Sequence, residues 1–186
     1  MHKVIGAVLL SFLVSANAIS VERSDQEKTD LKGKVVTVQK EMDQLVHTGG
    51  RYAYLQLSRK NGLSPFAIGV ETNGNSLILE IPKENQKREV TLADKIVKLR
   101  EMLKLAADNN KITSGALFIQ AQVPHLGKMV PGIAIELEHK LGMSFLRFSP
   151  YEIDRENQKI EFKKPSDQIK PLVFFKDAKE EEHEAS

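Results

Sequence analysis

The sequence predicts an α+β domain: an antiparallel β-sheet of five to seven strands with two amphipathic helices covering one face, in the order helix-βββ-helix-βββ. Three observations carry this expectation. Residues 131–151, PGIAIELEHKLGMSFLRFSPY, read as a β-hairpin, because Ile133, Ile135, Leu137 and His139 alternate with Ala134, Glu136, Glu138 and Lys140. Asn73-Gly74 between two alternating apolar runs marks a second hairpin. Two segments, opening at Leu31 and at Leu92, instead repeat their apolar residues at steps of three and four, which is the helical period.

Taken in order, residues 19–30 are polar and charge-rich and form a flexible lead-in. Leu31, Val35, Val38, Met42 and Leu45 make the first helical stripe, and Gly49-Gly50 stands where a helix takes a left-handed cap. The stripe also has the spacing of a coiled-coil seam, so these five residues are candidates for contact with a partner helix. Residues 51–59 set Tyr52, Tyr54 and Gln56 against Ala53, Leu55 and Leu57, which reads as a strand. Strands at 66–71 and 76–81 flank the Asn-Gly turn, Pro82 closes the second, and residues 83–89 form a charged loop. Thr91 with Asp94 three residues on resembles a capping box, and it opens a helix through Leu92, Ile96, Leu99 and Leu103 that Asp108-Asn109-Asn110 ends. Residues 112–123 are a strand stopped by Pro124, and 125–130 a loop leading into the hairpin of residues 131–151. In that hairpin Lys140-Leu141-Gly142 is the connection, with Gly142 in a left-handed position, and Pro150 ends the returning strand. Short strands at Ile160 and Phe162 and at 172–175 complete a single domain over residues 31–176.

Residues 1–18 stand apart from this domain. Met1-His2-Lys3 is a short basic start, residues 4–14 are apolar, and Ser15-Ala16-Asn17-Ala18 ends in an Ala-x-Ala pattern. These features predict a signal peptide cleaved after Ala18 and a periplasmic or secreted protein. A membrane anchor needs roughly twenty apolar residues, more than this run holds, and no later stretch of the mature chain reads as a span. The chain has no cysteine, which excludes disulfides, thiolate zinc sites and a cysteine nucleophile. It carries 27 Lys and Arg against 25 Asp and Glu, a near balance that argues against nucleic acid as the partner. Residues 177–186, rich in glutamate, read as an acidic disordered tail.

The pieces SPFAI (64–68), GALFIQAQV (115–123), AIELEHKLG (134–142) and SPY (149–151) resemble a pattern of small uncharacterised bacterial α+β proteins. That resemblance implies a fold and no reaction. The element order is also similar to that of profilin-like and roadblock-like domains, an analogy of fold that carries no site.

Candidate chemistry is sparse. Glu136 and Glu138, two apart on a strand, share one face about 7 Å apart, while His139 points to the other. With His125 in the neighbouring loop these four are the metal candidates, against a reading in which the glutamates meet solvent or a cross-strand base such as Arg147. His47 reads as a helix-end histidine that favours the dipole. No Gly-x-Ser-x-Gly elbow, Ser-x-x-Lys or phosphate-cradling glycine pattern occurs. Tyr52, Tyr54 and Phe66 beside Arg51, Arg59 and Lys60 could form a stacking surface, but core packing accounts for such aromatics. Leu126 and Met129 lie in an apolar loop that becomes a contact surface if exposed. The expected function is therefore an exported, non-catalytic module, without a cofactor, that binds a partner protein or envelope component. A periplasmic small-molecule or metal binder and an envelope hydrolase with an unrecognised site are the alternatives.

Overall fold

Residue periodicity alone places both helices and most strands of the computed structural model, which describes residues 25–59, 62–81, 91–154, 156 and 159–175. The signal peptide, residues 19–24 of the lead-in, the charged loop at 83–89 and the acidic tail lie outside the described residues. The element order is α1 (Asp25–Arg59), β1 (Phe66–Glu71), β2 (Ser76–Leu79), α2 (Leu92–Asp108), β3 (Ile112–His125), β4 (Lys128–His139), β5 (Ser144–Asp154), β6 (Lys159–Phe162) and β7 (Ser166–Ile169). The strands form one sheet in the order β2-β1-β3-β4-β5-β6, with β7 on β5, and every pairing is antiparallel. The architecture is α+β, as the sequence predicts. Among the described residues no helix is long and apolar enough to cross a membrane.

Several elements differ from expectation for identifiable reasons. Residues 51–59 are not a strand. α1 begins at Asp25, inside the expected lead-in, and runs unbroken through Gly49-Gly50 to Arg59. Its buried residues Val38, Met42, Leu45, Gly49, Ala53 and Leu57 fall on one helical stripe, so Gly49 belongs to the packed face and caps nothing. The ring of Phe118 occupies the space there: a Cβ on Gly49 would stand 2.0 Å from it. Glycine serves close approach of helix to sheet, and its helix-propensity cost of about 1 kcal/mol is outweighed by that packing. Phe118 stacks on Phe66 at 4.7 Å, and Tyr52 of α1 meets Phe66 edge-on.

The two helices also do not share a face. α1 packs with Phe66, Ile68, Val70, Ala116, Phe118, Ile133, Ile135 and Leu137, whereas α2 packs with Ala67, Ile112, Leu117 and Phe174 through Leu99, Leu103 and Ala106. Alternate residues of β1 and β3 thus feed two cores. A sheet apolar on both faces requires cover on both, and the result is three layers with the sheet in the middle.

The expected loop at 125–130 is the tip of a hairpin. β3 runs on through Pro124, β4 starts at Lys128, and Leu126 and Gly127 turn at φ of 47° and 76°. Positive φ at both central residues is the signature of the tight turn that matches strand twist. Proline is tolerated because β1 begins opposite Phe118, which leaves this part of β3 without a paired strand on its other side among the described residues. Pro150 likewise does not end β5, but stands where that strand passes from β4 to β6. Residues 172–175 are not a strand either; β7 lies earlier, and its residues are all exposed, so it shows no apolar alternation. The turn at Gly74, the capping box of Thr91 and Asp94, and left-handed Gly142 stand as expected.

Candidate functional site

The continuation of α1 past Gly50 creates a groove. One side of the helix, with Val46, His47, Gly50, Arg51, Tyr54 and Leu55, overhangs Phe118, Ile133 and Ile135 of β3 and β4, while Arg147, Ser149, Phe162 and Pro165 form the opposite wall. The open groove holds about 470 Å³, within the range of about 300–1,000 Å³ that small-molecule sites occupy. Its surface is mainly apolar, and Tyr54, Leu55 and Phe162 are among the large apolar residues left exposed. Gly50 opens into it, since a Cβ added there meets nothing within 4 Å.

Among the described residues the polar groups that line the groove are basic or neutral, with no Asp or Glu. Arg147 is already committed. Its Nε and Nη2 donate to both carboxylate oxygens of Asp167 on β7 at 2.7 Å, which holds the guanidinium pKa up and the Asp167 pKa down. Arg51 is exposed and has no ion pair or hydrogen-bonded side-chain partner among the described residues. His47 sits one turn before it in mid-helix, so the dipole of a helix end does not act on it. Periodicity misread this site because a strand reading of 51–59 turns Tyr54 to the face opposite Arg51 and Leu55 and ends the helix before all three. Reading the same residues at the step that joins Leu45, Gly49, Ala53 and Leu57 would have found it.

The metal candidates are dispersed. His125 and His139 mark opposite ends of the β3–β4 ladder, paired with Lys128 and Ser114, roughly 35 Å apart at about 3.3 Å per residue. Glu136 and Glu138 do share a face, but each has a structural partner, and neither meets Arg147. The Arg100 guanidinium of α2 donates to both Glu136 carboxylate oxygens. Glu138, with 0% of its surface exposed, accepts from Lys170 and from the backbone N–H groups of Val173 at 2.8 Å and Phe174 at 2.6 Å. It thereby pins residues 170–175 across the α2 face, with Phe174 in the core. Among the described residues no group of three or more His, Asp or Glu is gathered as a metal site.

His139 is buried on the α1 face. Its Nδ1 accepts the Leu141 N–H at 3.0 Å, so the neutral ring carries its proton on Nε2. Nε2 lies 3.2 Å from a Glu41 carboxylate oxygen, within ion-pair distance though outside hydrogen-bond geometry. Burial lowers its pKa, against the opposing pull of Glu41. Ser114 stands opposite on β3, which brings serine, histidine and carboxylate together, but not as a hydrolytic triad. Neither ring nitrogen hydrogen-bonds to the Ser114 hydroxyl, which is itself unpartnered among the described residues, and Ser114 and His139 are sealed from solvent beneath α1.

The partner candidates divide. Val38, Met42 and Leu45 are spent on the core, whereas Leu31 and Val35 remain 51% and 58% exposed, and Leu126 and Met129 90% and 62%. No protein-family model, curated protein or solved structure matches the chain.

Proposed function

We propose that this protein is an exported, non-catalytic binding module that holds an apolar ligand, a component or small molecule of the envelope, in the groove beneath α1. The observation that supports the reading is the groove itself: an apolar floor, a volume suited to a small molecule, and a glycine that keeps its mouth open. The test is the fluorescence of the neutral probe N-phenyl-1-naphthylamine with the mature protein. Binding by the native protein and its loss in Gly50→Leu, a change that adds a side chain to the open space and raises helix propensity, is the expected result. Equal binding by both proteins overturns the reading. Native mass spectrometry of protein expressed with its own leader tests export, which requires a mass beginning at Ile19 and fails if Met1 is retained.

A second reading, contact with a partner protein, draws on the exposed Leu31 and Val35 where α1 precedes its first buried residue, Val38. A second polypeptide in the native spectrum supports it, and a bare monomer counts against it.

A further inference from the structure

Resting on the groove reading, we infer that the ligand is a single-chain amphiphile with an anionic head, an alkyl carboxylate, whose head is held by Arg51. The groove presents one apolar slot, bounded by Val46, Leu55, Phe118, Ile133, Ile135 and Phe162. Its cations differ in state. Arg147 has its charge matched by the bidentate Asp167 contact, while Arg51 faces the same space with no anion among the lining residues. A guanidinium offers a planar fork that fits a carboxylate with two parallel hydrogen bonds. Apolar walls beside it reduce the competition from water that weakens exposed ion pairs. One unmatched cation beside one slot specifies one anionic head and one chain. A cationic amphiphile would meet the unmatched charge of Arg51, while Arg147 is balanced by Asp167, so charge at the Arg51 end discriminates against it. His47, one helical turn from Arg51, adds a further donor on the same side.

The experiment is displacement of N-phenyl-1-naphthylamine from the mature protein by dodecanoate, dodecanol and dodecyltrimethylammonium, each below its micelle concentration. Dodecanoate is expected to bind about tenfold tighter than dodecanol, a ratio of the size an added charge-assisted contact gives, and the ammonium weakest of the three. Arg51→Gln should remove that tenfold advantage and leave dodecanol unchanged, Arg51→Lys should restore part of it, and added salt should weaken dodecanoate alone. Equal affinity for dodecanoate and dodecanol in the native protein overturns the headgroup assignment, as does an equal loss for both in Arg51→Gln. Either result leaves the groove standing. Loss of the groove reading shows separately, as probe binding that Gly50→Leu does not change. A native protein that elutes as a dimer and takes up no probe until diluted has a second copy in the groove, which overturns the amphiphile.

Discussion

Gly49 and Gly50 are adjacent in one helix and carry opposite consequences. A methyl at Gly49 would meet the Phe118 ring at 2.0 Å, whereas one at Gly50 meets nothing within 4 Å. Gly49→Ala is therefore expected to destabilise the fold by about 1–3 kcal/mol through overpacking. Gly50→Ala should stabilise it by about 0.5–1 kcal/mol, because alanine loses less backbone freedom in a helix. Urea denaturation of the two variants checks the pair, and equal shifts of the midpoint would contradict the assignment of faces. His139 makes a second prediction at this scale. Its pKa is lowered in the folded protein, chiefly by burial, so between that pKa and the unfolded value of about 6.5 the unfolded chain binds more protons. The stability it contributes is complete above that unfolded value and is lost as pH falls through the folded one. Unfolding free energy measured from pH 8 to pH 5 should thus decline more steeply in the native protein than in His139→Gln; parallel profiles would remove His139 from the account.

Among the elements, α1 and the segment after β7 do the most to define the molecule. α1 has 35 residues and is about 52 Å long at 1.5 Å per residue, so it covers the sheet with its later turns and extends its earlier ones beyond the core. The Lys170 N–H still donates to the Ser144 carbonyl of β5 at 3.3 Å, and the Ser144 hydroxyl donates to the Pro171 carbonyl. Beyond these contacts the Glu138 carboxylate takes the place of a strand as acceptor for the Val173 and Phe174 N–H groups. Glu138→Ala leaves the N–H groups of Val173 and Phe174 without their acceptor and Lys170 with only the Pro171 carbonyl. Removing one partner of a buried, hydrogen-bonded pair costs about 3–5 kcal/mol. Hydrogen exchange should show the Val173 and Phe174 amides losing protection first, with the β3–β4 ladder retained; unchanged exchange at those amides would refute the anchoring role. This element was hidden from the sequence because its order comes from distant side chains, Glu138 and Ser144, and the exposed β7 was hidden because no alternation marks it.

At the scale of the whole molecule, both helices clamp a sheet that is apolar on both faces, and the groove exists because α1 continues over β3 and β4 after Gly50. Much of this was legible in residue order. Alternation placed β1, β2 and the ladder of β4 and β5; the steps at Leu92, Ile96, Leu99 and Leu103 placed α2; Thr91, Gly74 and Gly142 placed a cap and two turns. These are local features, set by backbone sterics and by the period with which apolar side chains recur, so the sequence by itself determined them. It also determined that the glutamates of β4 share a face and that His139 does not. What only the tertiary structure decided is nonlocal. Whether Gly49-Gly50 ends a helix or lets it pass depends on Phe118, a residue far along the chain that fills the space a side chain would need. The partners of Glu136 and Glu138, Arg100 and Lys170, lie more than thirty residues away, and no spacing rule connects them. The groove has the same origin, since its walls come from α1, β3, β4 and β5 and from the segment beyond. Periodicity records which face of an element is apolar, and only packing decides what that face meets.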